Sequence, residues 1–303
     1  MKYTTLSKLA VRVLEEKESR PKVVAVAAAD DLHTLEAVLC AARDGIAVPL
    51  LTGDRAGIRE KLTQLDQKPD DYEIIDAGSP EDAAFQAALA VKEGRANFLM
   101  KGLIPTGPML KVFFREETGF RIGRPISHIS LAQTPSYHKL LCISDSAINI
   151  RPTLEVKRAM IENAVSALRS MGFDRPKVAV LTSTELINPK MPETQDAQVL
   201  KDMNQQGLIT DCLVEGPISF DLAVSKEAAE IKGLSSPVYG DADLLITPDI
   251  ASGNILLKSL RYCAGASTAG IVVGGRAPLV LTSRAVAPMD KYWPIVLAAA
   301  AAK

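Results

Sequence analysis

Alternating strand-like and helical segments predict an α/β fold built on mostly parallel sheets. Three observations carry this. Runs such as Val23–Ala29, Phe98–Lys101 and Gly270–Val273 are continuously apolar, as strands covered on both faces are. Between such runs lie stretches with helical spacing and recognisable helix ends. The chain has 303 residues, 47 % of them hydrophobic, enough for one large domain or two ordinary ones.

The elements follow in order. Leu6, Leu9, Val13 and Leu14 mark an amphipathic first helix rather than a positive-then-apolar leader. Val23–Ala29 is a strand and Leu32–Arg43 a helix; Ala47–Thr52 is the next strand, and a helix runs from about Asp54 to Leu65. Tyr72–Asp76 is a strand. Pro80–Glu93 is a helix that opens on proline and acids, as helix starts favour. Phe98–Lys101 is a strand, followed by a helix from about Gly107. Thr153–Met171 reads as a long helix stopped by Gly172. Val178–Thr182, Leu244–Thr247, Gly270–Val273 and Leu279–Thr282 are further strands, and the last helix begins near Pro288. A change in composition at Ile143–Pro152 marks a crossing between halves. The expected division is a discontinuous first domain, 1–145 plus 285–303, and a second domain, 146–284.

Composition narrows the function. The net charge is -1, so nothing points to nucleic acid or an anionic membrane surface. No apolar run reaches membrane-spanning length. Cys40, Cys142, Cys212 and Cys263 are far apart and form no CxxC pair, against a zinc site or a disulfide scaffold. The expected setting is the cytoplasm. His33, His128 and His138 sit in no HExxH or HxH context and in no evident Ser-His-Asp pattern, so local hydrogen bonding is their expected role.

The most informative segment is Gly240–Leu260, GDADLLITPDIASGNILLKSL. Ala242–Thr247 reads as a buried strand, Pro248–Gly253 as a turn-rich loop, and Asn254 onward as a helix. A strand feeding a helix through such a loop turns backbone N–H groups toward an anion. The same residues also fit an ordinary connection. The loop is neither GxxxxGK[ST] nor GxGxxG.

In parallel sheets ligands bind beyond the carboxyl ends of strands. Four sets of residues gather there. They are Lys101-Gly102 leading to Thr106-Gly107; Gly216-Pro217 with Phe220-Asp221; Asp249, Ser252, Gly253 and Asn254; and Ser283-Arg284. Hydroxyls, cations and amides without a metal cluster suit a phosphorylated substrate. Taken singly, each has a plainer role: a solvent-facing lysine, a cap, a surface ion pair, or, for Asp290, a favourable charge at a helix start.

Four blocks carry a family resemblance: Asp145–Pro152 (DSAINIRP), Gly216–Ala223 (GPISFDLA), Ala242–Leu260, and Ala277–Arg284 (APLVLTSR). The chain resembles the phosphate acetyltransferase and phosphate butyryltransferase family over nearly its whole length. The resemblance implies two α/β/α domains around a cleft, a fold similar to the isopropylmalate dehydrogenases. It implies reversible acyl transfer between coenzyme A and inorganic phosphate. The implied partners are acyl-CoA, phosphate and acyl phosphate, with CoA as substrate, no other cofactor and no metal, in a homodimer or larger homo-oligomer. Val280-Leu281 stands where acetyl-transferring relatives carry a polar Asn-Asp pair, which places the chain nearer the butyryl branch.

The resemblance also implies roles. Ser283 and Arg284 match the family's Ser-Arg pair, and Asp290, seven residues after Ser283, has the spacing of the base. Ser252, Gly253 and Asn254 would line the phosphate side, with Lys101, Thr106 and Lys111 as further substrate-binding candidates. The alternatives are a phosphate acetyltransferase, an inactive relative that binds CoA or acyl phosphate, and an isopropylmalate-type dehydrogenase. The last would need a metal-binding aspartate cluster, for which Asp241, Asp243 and Asp249 are poor candidates.

Overall fold

A computed structural model describes residues 4–15, 21–281 and 288–302. The chain divides into two compact units. One comprises residues 7–124 and 269–303, the other residues 1–6 and 125–268.

The first unit opens with α1 (Leu6–Glu15), of which Leu6 is grouped with the other unit; Leu6 and Leu9 are buried as the amphipathic pattern requires. Then follow β1 (Lys22–Ala27), α2 (Leu32–Arg43), β2 (Ala47–Gly53), α3 (Arg55–Gln64), β3 (Glu73–Asp76), α4 (Pro80–Lys92), β4 (Phe98–Lys101) and α5 (Thr106–Phe113). The caps are those the sequence offers. Asp31, Asp54 and Ser79 accept N–H bonds at the starts of α2, α3 and α4. β1 pairs in parallel with β2 and β4, and β2 with β3.

The second unit contains β5 (Ser127–Gln133), β6 (Leu141–Ser144), α6 (Leu154–Ser170), β7 (Lys177–Leu181), α7 (Pro192–Gln205), β8 (Leu213–Ile218), α8 (Phe220–Val224), α9 (Lys226–Ile231), β9 (Leu244–Ile246) and α10 (Ile250–Cys263). Its strand order is β5-β6-β9-β7-β8. β6, β9, β7 and β8 run parallel, and β5 is antiparallel to β6. Ile143, Ala179, Ile218, Leu222 and Leu245 form part of its core.

The chain then returns to the first unit as β10 (Ser267–Val273), β11 (Leu279–Val280) and α11 (Pro288–Ala301). β11 joins β4 in parallel, Leu279 opposite Leu99 and Val280 opposite Met100. β10 pairs antiparallel with β11. Helix α11 packs on α2, β11 and β4.

The α/β expectation with mostly parallel strands holds, and the two antiparallel pairs are additions to it. The units also part elsewhere than at 145/146 and 284/285. β6 is hydrogen-bonded to β9, which draws residues 125–145 into the second unit. β11 is hydrogen-bonded to β4, which returns the chain to the first unit from residue 269.

Candidate active site

Within the second unit, β6 and β9 lie side by side, so the segments after Ser144 and Ile246 emerge together. The Thr247 amide donates to the Ser144 carbonyl (2.8 Å), and its hydroxyl to the Asp145 carbonyl (3.1 Å). Helix α10 enters against this junction through Gly253. A Cβ there would stand 2.2 Å from the Asp145 carbonyl oxygen and 2.7 Å from Thr247 Oγ1. Only glycine fits so close an approach.

Asp145 is 1 % exposed, and its carboxylate is saturated with donors. Oδ1 accepts from the amides of Ala147 (2.8 Å) and Ile148 (2.9 Å). Oδ2 accepts from the His128 amide (2.9 Å) and the Asn149 side chain (2.7 Å). Asn149 also donates to the Ile126 carbonyl (3.0 Å). The result is a fixed turn from Asp145 to Asn149. His128 Nδ1 lies 3.1 Å from Ser146 Oγ, and burial lowers the His128 pKa despite the nearby Asp145 carboxylate, which keeps the ring neutral.

The head of α10 differs from expectation. The helix starts at Ile250, not Asn254, so Ser252 and Gly253 belong to its first turn rather than to a loop. Asp249 is the N-cap and forms a capping box with Ser252. The Ser252 amide donates to Asp249 Oδ1 (2.8 Å), the Gly253 amide to the Asp249 carbonyl (3.2 Å), and the Ile250 amide to the Ile150 carbonyl (3.1 Å). These N–H groups therefore have acceptors inside the fold and are not presented to an anion. Bonds from the Ser252 amide, then its hydroxyl and the Ala251 amide, together with the Arg151 charge, hold the Asp249 carboxyl below its ordinary pKa against a smaller opposing effect of burial. Asn254, half-buried, donates through Nδ2 to the Ser146 carbonyl (3.1 Å).

The first unit holds the remaining candidates. Lys101, at the end of β4, is 6 % exposed and donates to the carbonyls of Gly102 (3.2 Å) and Ile104 (3.1 Å). It braces its own loop, rather than standing free at a strand end. A Cβ on Gly102 would lie 2.1 Å from the Ala28 carbonyl oxygen. Thr106 is the first residue of α5 and is exposed; Lys111, later in that helix, is exposed too. Asp290 lies in the first turn of α11, half-buried. Its neighbour Lys291 is buried and reaches Asp31 Oδ2 (3.2 Å) and Thr34 Oγ1 (3.2 Å). Ser283 and Arg284 lie outside the described residues. β11, the last described strand before them, pairs in parallel with β4, which ends in Lys101.

The three histidines make hydrogen-bonding contacts, His33 locally with Glu36, and His128 with Ser146 and His138 with Asp241 across longer stretches of chain. Asp241 and Asp243 precede β9, whereas Asp249 follows it, so the three do not converge. Among the described residues no group of three or more His, Cys, Asp or Glu is placed to hold a metal ion. No helix among them is long and apolar enough to cross a membrane.

These features define an α/β protein whose carboxyl strand ends carry a hydrogen-bonded polar junction. Comparison with known proteins supplies the family. The model of the phosphate acetyl/butaryl transferase family matches residues 79–299. A phosphate acetyltransferase of Thermotoga maritima is 43 % identical over 288 residues, covering 95 % of this chain and 98 % of that protein. A phosphate butyryltransferase of Clostridium acetobutylicum is 39 % identical over 287 residues, covering 95 % of each. The crystal structure of a branched-chain phosphotransacylase from Enterococcus faecalis V583 superposes with a TM-score of 0.80 at 29 % identity, covering 91 % of this chain and 97 % of that one. The chain belongs to the phosphate acetyl/butaryl transferase family and is a phosphate acyltransferase.

Proposed function

We propose that the enzyme transfers a short-chain acyl group, butyryl in particular, reversibly between coenzyme A and inorganic phosphate, without a covalent enzyme intermediate. The observation that carries the class of reaction is homology across 95 % of the chain to both an acetyl- and a butyryl-transferring relative. Identity alone does not choose the acyl group, because the acetyl relative at 43 % and the butyryl one at 39 % differ by little. The butyryl reading rests on Val280-Leu281, at and just beyond the end of β11, standing where acetyl-transferring relatives carry a polar Asn-Asp pair. Phosphate acetyltransferase is the second reading, favoured by the 43 % identity to the Thermotoga protein.

In the acyl phosphate-forming direction, a phosphate oxygen attacks the thioester carbonyl. A C–O bond forms, the C–S bond breaks, and the thiolate leaves with a proton that phosphate gives up. In reverse, the CoA thiol, with a pKa of about 8.5, must lose its proton to attack. We assign that proton transfer to Asp290. Arg284 binds phosphate in bidentate fashion, and Ser283 donates to the developing oxyanion or thiolate. Asn254 provides the phosphate contact from α10; Ser252 and Gly253 shape the helix start that presents it. Lys101, Thr106 and Lys111 are further substrate-binding candidates. No cofactor beyond CoA as substrate is required.

The test is thiol release from acetyl-, propionyl- and butyryl-CoA with phosphate. Butyryl-CoA should give the highest kcat/KM. Arg284→Ala should lower kcat at least tenfold in a folded variant, as about 10²-fold effects are typical for lost transition-state donors. Highest kcat/KM with acetyl-CoA would select the second reading. No thiol release from any acyl-CoA would overturn both.

A further inference from the structure

Asp145 occupies a position that the acyl-transfer scheme leaves without a role, although its surroundings are unusually complete. Its carboxylate is buried, and four donors converge on it from three directions: the turn at Ala147 and Ile148, the backbone of β5 at His128, and the Asn149 amide. A buried carboxylate is tolerated only when so satisfied, and each charge-assisted bond is stronger than a neutral one.

The turn it fixes is also the turn that holds α10. The Ser146 carbonyl accepts from Asn254 Nδ2 (3.1 Å), the Ile150 carbonyl from the Ile250 amide (3.1 Å), and the Asp145 carbonyl from the Thr247 hydroxyl (3.1 Å). Gly253 lets the helix settle against the Asp145 carbonyl. Ser146 is itself buried, with His128 Nδ1 3.1 Å from its hydroxyl. Asn254 thus has one amide hydrogen committed to a carbonyl whose place depends on Asp145.

We propose that Asp145 is a positioning residue for phosphate binding: its carboxylate fixes the Asp145–Asn149 turn, and that turn orients the Asn254 side chain at the head of α10. This rests on the assignment of Asn254 to the phosphate side of an acyl-transfer site. A carboxylate can accept all four bonds. An asparagine turns an NH₂ group toward two of the donors, so the turn must rearrange. A purely structural carboxylate would lower stability without acting specifically through Asn254.

The experiment is a double-mutant cycle on the full-length enzyme, with Asp145→Asn, Asn254→Ala and both together, read as kcat and the KM for inorganic phosphate in thiol release from acyl-CoA. Asp145→Asn should lower kcat/KM for phosphate by about tenfold or more, chiefly through KM. The double variant should match Asn254→Ala alone within about twofold, because coupled residues are non-additive. Should Asp145→Asn fail to fold, Asn149→Ala removes one donor and keeps the carboxylate with its three backbone partners. It should give a smaller loss with the same non-additivity. Losses that multiply in the double variant, or an unchanged phosphate KM in Asp145→Asn, would overturn the proposal while leaving the acyl-transfer reading intact. A wild-type enzyme that releases no thiol overturns the reading and, with it, the proposal.

Discussion

Gly253 shows how much a single missing Cβ sets at this site. Its would-be neighbours, the Asp145 carbonyl and Thr247 Oγ1, are held by backbone and by a buried hydrogen bond, so neither can swing aside. Gly253→Ala should cost about 1–3 kcal/mol, the usual penalty for overpacking. Urea denaturation would check this, and an unchanged midpoint would mean that the junction yields. The sequence singles out Gly253 for another reason, as a source of free amide in a loop. The close approach is to Asp145, in the same turn whose Ser146 carbonyl accepts from Asn254 across 108 positions, and such distant contacts leave no local pattern. Lys101 was likewise legible as a strand-end cation, yet its donors reach Gly102 and Ile104 rather than open solvent.

Among the elements, those with strong local signals were legible to the residue. Leu32–Arg43 and Phe98–Lys101 match their helix and strand, and Ser79-Pro80 marks the start of α4. β5 and β6 were not read as strands. β5, SHISLAQ, buries Ser127, His128 and Ser130 together with Ile129 and Leu131, so it shows neither a continuous apolar run nor a polar outer face. Of its polar side chains, His128 meets Ser146 in the Asp145 turn and Ser127 accepts from Asn163 of α6. The head of α10 was misplaced because Asp-Ile-Ala-Ser-Gly-Asn is rich in turn formers. The Asp249–Ser252 capping box lacks the usual Glu or Gln at its third position. Asp249→Ala should destabilise the protein by about 1 kcal/mol through loss of this cap. A thermal melt lowered by a few degrees would agree; no change would show that the Ile250–Ile150 bond anchors the helix unaided.

At the scale of the molecule, the carboxyl-end rule located candidate residues in both units, while the amino ends of the second unit's strands carry a separate charged cluster. Lys139, 2 % exposed, bonds the Asp241 carbonyl (2.8 Å) and Asp243 Oδ1 (2.5 Å). Lys177 and His138 complete the shell of Asp241 at 2.6 and 2.8 Å. Burial opposes the Asp241 charge, but bonds from Lys177, His138 and Lys139 prevail and lower its pKa far below 3.8. Its carboxylate therefore contributes stability that is complete above the unfolded value of 3.8 and is lost as pH falls through the lower folded value. Asp241→Asn should cost about 3 kcal/mol at neutral pH, since it removes the carboxylate that Lys139, Lys177 and His138 share and leaves buried Lys139 with the carboxylate of Asp243 alone. The gap from wild type should stay constant down to about pH 5 and narrow in more acid solution as Asp241 protonates in the unfolded wild-type chain while staying ionised in the folded one. Denaturation at several pH values would check this. A gap that widens on acidification would reverse the sign.

The return of the chain to β11 has a consequence for synthesis. Residues 125–268 form all but a six-residue part of one unit, so nearly everything that unit needs emerges from the ribosome in one stretch. The other unit is translated first and completed last: β4 waits for Leu279 and Val280, and the surface of α2 waits for α11. Domains fold as units while they are made. Here the order of completion inverts the order of translation, and β4 keeps an open edge until Leu279 and Val280 have been made.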